Sequence, residues 1–295
     1  MDFMKDVVAR KAIRLAGACA LLVGMSGMVQ DAVAGIANTR HNLSNTNNVA
    51  GGANHVTDTP DICVFCHTPH NADISQTDNP PLWNKRLLTG QTYQTYAQMN
   101  SASIDGQILP VGSISLACLP CHDGAQAMDN LINAPGSGGL DATGGGTNGR
   151  NFVWTGSPRI DAGGAGLLTG VAAVGAGGDL RNDHPIGIEY CGGFTAGTTC
   201  RDPDFRAVST RNVASGNTTV TQYWVDTPAI GTANQRDRTD FVLFNRTFAA
   251  GAGRPSVECG SCHDPHVESG VNGAGPTFLR VANTASAVCL ACHTK

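Results

Sequence analysis

One five-residue pattern occurs four times and constrains this chain more than any other feature: CVFCH at 63–67, CLPCH at 118–122, CGSCH at 259–263 and CLACH at 289–293. Two cysteines three positions apart on a short helical turn project the same way. They can form thioether bonds to the two vinyl groups along one porphyrin edge, with the adjacent histidine under the iron as axial ligand. Structural zinc sites also use Cys-x-x-Cys pairs, but zinc does not require a histidine directly after every pair, and all four pairs have one. The expectation is four covalently bound c-type haems. Cys63, Cys66, Cys118, Cys121, Cys259, Cys262, Cys289 and Cys292 carry the thioethers, and His67, His122, His263 and His293 are the proximal iron ligands.

Covalent haem attachment takes place outside the cytoplasm, so an export signal is expected. Residues 1–34 read as one: Lys5, Arg10, Lys11 and Arg14 precede the apolar run LAGACALLVGMSGMV, and AVA at 32–34 offers a small-residue cleavage site before Gly35. The run is shorter than the ~20 residues that span a bilayer, so no membrane span is expected after signal removal. Cys19 raises a lipoprotein alternative; Ala16 stands where a larger aliphatic residue is expected, which favours loss of Cys19 with the signal. Of the chain's 11 cysteines, Cys19 and the eight haem cysteines leave only Cys191 and Cys200. A close pair in an oxidising compartment is most simply a disulfide.

Four of the 19 basic and three of the 23 acidic residues lie in 1–34, leaving 15 and 20 in the mature chain, a balance that argues against nucleic-acid binding. Aromatic residues make up only 5% of the sequence while glycine reaches 37 residues, so an ordinary core of this size is hard to build. Four porphyrins would supply the missing apolar surface. The expected fold class is accordingly a multihaem cytochrome c: mostly irregular coil around a haem-centred core, with short helices at the haem sites and a few β-strands. Residues 35–62 form a polar N-terminal arm, 63–124 hold haem sites 1 and 2, 125–256 form a Gly-rich insertion, and 257–295 hold sites 3 and 4. A helix is expected around 83–100. TTVTQYWV at 218–225 and DFVLFN at 240–245 have strand-like composition and are expected to pair. The Asn-x-Ser/Thr matches at Asn42, Asn217 and Asn245 read as chance in a chain so rich in Asn and Thr.

Nine histidines are present. Beyond the four proximal ligands, His41, His55, His70, His184 and His266 are available for four distal positions, and only Met99 and Met128 survive signal removal. Bis-histidine ligation of all four irons follows, an arrangement suited to electron transfer rather than to substrate chemistry at iron. His70 lies three residues after His67. Three residues reach about 10 Å when fully extended, too little to pass around a porphyrin, so His70 cannot be the partner of His67: as a ligand it would hold a different haem, and the alternative is a surface histidine beside a haem. SCHDPH repeats the arrangement with His263 and His266. His184, in NDHPIG, is the insertion's lone histidine and is expected to reach the haem sites. Between His41 and His55, one is a reserve, and His41 is preferred as the ligand.

The segments HNLS, CVFCHTPHN, PLWN, CLPCHDG, NDHPI, VECGSCHDPH and CLACHTK resemble multihaem cytochromes with doubled Cys-x-x-Cys-His motifs. Among these the sequence looks like the outer-surface tetrahaem (OmcE-like) type, whose subunits polymerise into extracellular cytochrome filaments, or nanowires. The likeness covers the haem-bearing ends and says little about 125–180 or 190–255. It implies that His41, His70, His184 and His266 are distal ligands and that one distal histidine crosses a subunit boundary. His70 is the first choice for that role, with His41 or His55 second.

The expected function is extracellular electron transfer by an exported tetrahaem protein, polymerised head to tail into a conductive filament. Other redox proteins would act as donors and an extracellular acceptor would receive the electrons. The alternative keeps the haems and drops the polymer: a monomeric periplasmic shuttle or a redox-complex subunit. A multihaem reductase would need an open iron site, and five spare histidines for four irons weigh against it. No catalytic residues are expected.

Overall fold

The computed structural model describes residues 35–49, 53–74, 80–86, 91–136, 139–140, 149–156, 166–227, 235–267 and 278–295. The expected signal at 1–34, Cys19 included, lies outside them, as does much of the first glycine-rich segment. Gly35–Lys295 form one compact unit.

Two β-residues in the arm, β1 (His55–Val56), pair antiparallel with β2 (Trp154–Thr155). Downstream come β3 (Ile188–Glu189), a small hairpin of β4 (Phe194–Ala196) and β5 (Thr199–Cys200), and then the long strands β6 (Ser209–Ser215), β7 (Thr218–Val225), β8 (Phe241–Phe248) and β9 (Gly251–Val257). The main sheet has five strands in the order β3-β9-β8-β7-β6, every neighbouring pair antiparallel. The two segments expected to be strands are β7 and β8, and they pair through Tyr223–Leu243, Trp224–Val242 and Val225–Phe241. A two-residue loop joins β6 to β7, and Gly216 takes the positive φ of 57° that such a turn needs.

Alternation along β8 sends Phe241 and Leu243 inward. They meet Tyr190, Val208, Val225 and Val257 in the main core, which also takes in Val281 and Ala291 from the segment that carries the last two motifs. Cys262 and Cys292 pack against its edge. A second cluster of Val56, Phe65 and Leu131 lies under the first motif, with Cys66, Phe152 and Trp154 beside it.

The expected fold class is therefore corrected. The chain is not mostly irregular coil around a haem-centred core, because a five-stranded antiparallel sheet with its own aromatic and aliphatic interior organises its second half. Average composition misled: eight of the 16 Phe, Tyr and Trp residues fall between 190 and 248, dense enough locally to fill one sheet face. Among the described residues the α-helical segments are short: α1 (Ser115–His122), α2 (Cys259–Cys262) and α3 (Ala287–Cys292). The helix expected around 83–100 is also corrected. Leu82 O and the Asn84 amide close a bridge to the first motif, the Trp83 and Asn84 carbonyls accept from Asp73 and Ile132, and only a 3₁₀ turn at Tyr96–Gln98, capped by Thr95, forms downstream among the described residues. Among the described residues, no helix is long and apolar enough to cross a membrane.

Candidate haem-binding sites

Each motif is a tight turn. In the first, third and fourth, the histidine amide donates to the carbonyl of the first cysteine, at 2.8, 3.1 and 2.9 Å for His67, His263 and His293. The second motif forms the end of α1, where Pro120 sits inside the helix.

The same three turns are held by one recurring device. Thr68 donates its amide to Leu82 O (2.8 Å), and Asn84 returns an amide to Cys66 O (2.9 Å). Asp264 to Phe278 (2.8 Å) and Arg280 to Cys262 (2.9 Å) repeat this at the third motif. Thr294 to Asp204 and Arg206 to Cys292, both 2.8 Å, repeat it at the fourth. The middle residue of each remote tripeptide, Trp83, Leu279 or Phe205, bridges to the motif histidine. The third residue's side chain caps a carbonyl inside the turn: Asn84 Nδ2 on Val64 O (2.7 Å), Arg280 Nη2 on Gly260 O (3.0 Å) and Arg206 Nε on Leu290 O (2.7 Å). Each capped carbonyl belongs to the residue just after the first cysteine. A turn this tight leaves carbonyls without helical partners, and leaving a buried acceptor unmet is costly.

Histidines meet in pairs. The rings of His67 and His266 lie 6.2 Å apart and 16° from parallel, and those of His41 and His122 lie 6.1 Å apart at 80°. His184 is close enough to His293 to lower its pKa, adding to the larger effect of burial. Orientation is set from behind. Because a carbonyl can only accept, His67 and His122 must each donate Nδ1–H, to Pro81 O and Ala172 O at 2.7 Å, which directs the Nε2 lone pair away from the backbone. His266 Nδ1 lies 3.4 Å from Asp264, whose carboxylate also faces Arg280. Burial raises the Asp264 pKa, but the His266 hydrogen bonds and Arg280 outweigh it and bring the group down to about 2. Burial, with repulsion from His122, pushes the His41 imidazole down to about 3; a bond to the Pro265 carbonyl opposes this. His41 stacks on Phe278 at 4.0 Å, and its buried Nδ1 has no hydrogen-bond partner.

The other sequence candidates fall elsewhere. His70 is exposed. Its carbonyl accepts from Thr68 Oγ1 (2.9 Å) and Asn133 Nδ2 (2.7 Å), which fixes the Thr-Pro-His loop. His55 faces Thr155 across β1–β2, with Nδ1 on Ala53 O at 2.7 Å. Cys191 and Cys200 form a disulfide with Cα atoms 5.5 Å apart, closing the β4–β5 hairpin. None of the eight motif cysteines takes part in a disulfide. Cys118 and Cys259, 141 positions apart in the sequence, share a hydrogen bond that raises the Cys118 pKa and lowers that of Cys259. Cys66 and Cys262 are each pushed up to about 11, and Cys292 to about 12, mainly by burial. Cys66 also lies within electrostatic range of Cys121, and Cys262 of Cys289, so the four motifs form one continuous run.

The donor set fits the group that the motifs imply. Two imidazoles on opposite sides of one metal, with nitrogen–metal bonds of ~2.0 Å and ring centres ~1.1 Å behind the nitrogens, have centroids about 6.2 Å apart. The His67–His266 and His41–His122 pairs have that separation. Among the described residues, no three His, Cys, Asp or Glu side chains converge as a metal-ligand cluster; the arrangement is one of facing imidazoles beside paired thiols. Sequence reasoning missed the gripping tripeptides. Their side chains differ from site to site, and they act largely through the backbone, so no common residue pattern announces them. No protein-family model matches the chain, and no curated protein matches it significantly.

Proposed function

We propose that this chain is an exported tetrahaem c-type cytochrome that carries electrons and does not act as an enzyme. The observation that carries the reading is the His67–His266 pair, coming from opposite ends of the sequence with the spacing and near-parallel rings of two axial ligands. Haem supplies reversible one-electron chemistry at iron. The chain's own part would be to present histidines to each haem and to keep His67, His122 and His266 in fixed tautomers through Pro81, Ala172 and Asp264. We assign His67 with His266, His122 with His41, and His293 with His184.

The remaining distal candidate, His70, is exposed. We assign it as the distal ligand that crosses a boundary between copies, keeping His55 in reserve. Such a head-to-tail contact does not close on itself and so produces an open filament. Electrons would pass from periplasmic redox partners along the polymer to an extracellular acceptor.

Haem-stained electron microscopy of material sheared from expressing cells, with mass spectrometry on the same fraction, tests this. Thin haem-positive filaments made of this chain support the conduit. A monodisperse tetrahaem protein recovered only from the periplasm would refute the filament and leave a shuttle. A large cyanide-binding high-spin fraction would refute saturated bis-histidine ligation and revive the reductase.

A further inference from the structure

Lys85 is only 3% exposed, and its ammonium donates to two main-chain carbonyls, Met128 O at 2.6 Å and Asn130 O at 3.4 Å. Holding a full charge out of water against carbonyl dipoles is costly, so its location matters. The Asn84 amide on Cys66 O at 2.9 Å puts Lys85 one residue from the first motif's grip. Gln126 Nε2 on Arg86 O (2.8 Å) and Ile132 N on Asn84 O (2.9 Å) fasten the same stretch to 126–132, which leaves α1 just after His122. Lys85 is thus wedged between motifs 1 and 2. The Gln126 amide also donates to Pro120 O inside the second motif at 2.9 Å, so the stretch that holds the ammonium is fastened to both motifs. Asp129 lies between the two residues whose carbonyls hold the ammonium, so its carboxylate is the nearest opposing charge in sequence.

We propose that Lys85 sets the reduction potentials of haem sites 1 and 2, holding both above the values that bis-imidazole ligation alone would give. This rests on the tetrahaem reading above. One-electron reduction adds one negative charge at a site without making or breaking a bond, and a fixed ammonium stabilises that added charge. One unit charge at ~10 Å, with an effective dielectric of ~20, alters such an equilibrium roughly tenfold. Lys85 is a positioning and charge-setting residue; it is not an iron ligand.

The test uses the full chain matured in a host that attaches c-type haem, with four haems confirmed by intact mass and potentials read by spectroelectrochemical titration. Lys85→Gln keeps a donor for the two carbonyls and removes the charge. It is expected to lower two of the four potentials, each by about tenfold in the one-electron equilibrium, or ~59 mV. Lys85→Arg is expected to keep both near their starting values. Asp129→Asn removes an opposing charge and is expected to raise the site-2 potential; this variant decides the matter should Lys85→Gln fail to mature. Four haems with unmoved potentials in the charge-deletion variants that mature would overturn this proposal alone. A chain that matures without haem would overturn the tetrahaem reading and this proposal with it.

Discussion

Arg246→Met is expected to destabilise the protein by about 3 kcal/mol at neutral pH, toward the low end of the ~3–5 kcal/mol for breaking a buried ion pair. Glu258 has a fully buried side chain directly before the third motif. Its carboxylate accepts from Arg246 Nη1 (2.7 Å), Ser115 Oγ (2.6 Å) and Ser256 Oγ (2.9 Å). Ser115 also accepts from the Cys259 amide at 3.0 Å, so this network joins α1 to α2 and motif 2 to motif 3. Removing the guanidinium leaves a buried carboxylate without its cationic partner, and it deprives Pro110 O of its donor. Two features hold the cost at the lower end: Arg246 is partly exposed, and Glu258 can escape by taking up a proton. Burial already raises the Glu258 pKa above the ordinary value despite the arginine.

A raised carboxyl pKa contributes stability that is present below the unfolded-state value and is lost as pH rises through the folded-state value. Without Arg246 that folded value climbs further, so the penalty should be largest near pH 7 and should shrink on acidification. Thermal unfolding of the haem-loaded variant and its parent between pH 5 and 7.5 measures this. At ~2–4 °C per kcal/mol for a chain of this size, the expected drop at pH 7 is about 6–12 °C. A drop below 2 °C at pH 7, or a penalty that grows toward pH 5, would refute the buried-network account.

Other consequences follow from the grips, the axial pairs and the disulfide. Asn84→Ala should cost about 1–3 kcal/mol by leaving the Val64 and Asn133 carbonyls without their amide donor; equilibrium unfolding of the loaded protein measures it, and a neutral result would count against a structural grip. His266→Ala should convert one haem of four from low-spin to high-spin or water-ligated, visible by electron paramagnetic resonance; an unchanged low-spin spectrum would refute the His67–His266 assignment. Cys191→Ser with Cys200→Ser should lower stability by about 2–3 kcal/mol, the chain-entropy value for so short a loop, while the haem count stays at four; loss of haem would show that the β4–β5 hairpin is needed for maturation.

What could be read from the sequence divides along physical lines. Thioether chemistry fixes the spacing of two sulfurs and a histidine within five residues, so the motifs are written in consecutive letters. The pairing of β7 with β8 was also legible, because a half-buried strand carries its alternation locally. The distal assignments were not, since His266 meets His67 across nearly 200 positions and only the folded chain decides which imidazoles face each other. The main core was misjudged because composition was averaged over a sequence whose aromatic residues are clustered. The grips were invisible for a different reason: a backbone amide is available from any residue except proline, and Asn or Arg can cap the same carbonyl.

These differences bear on the long stretch without a motif. As a glycine-rich insertion, residues 125–256 would be a spacer between two haem pairs. Yet Asp204, Phe205 and Arg206 from within it grip the fourth motif, and Arg246 supports the glutamate before the third. His184, also from this stretch, stands near His293. Gly260 inside the third motif lies so close to β8 that a Cβ there would come within 2.9 Å of Phe244 Cζ, so the sheet packs directly on that turn. Motifs 3 and 4 therefore sit on the sheet as a scaffold, whereas motif 1 rests on the small cluster around Phe65 and Leu131. A substitution that unpairs β8 from β9 is expected to disturb sites 3 and 4 before site 1, because the two ends of the run are held by separate cores.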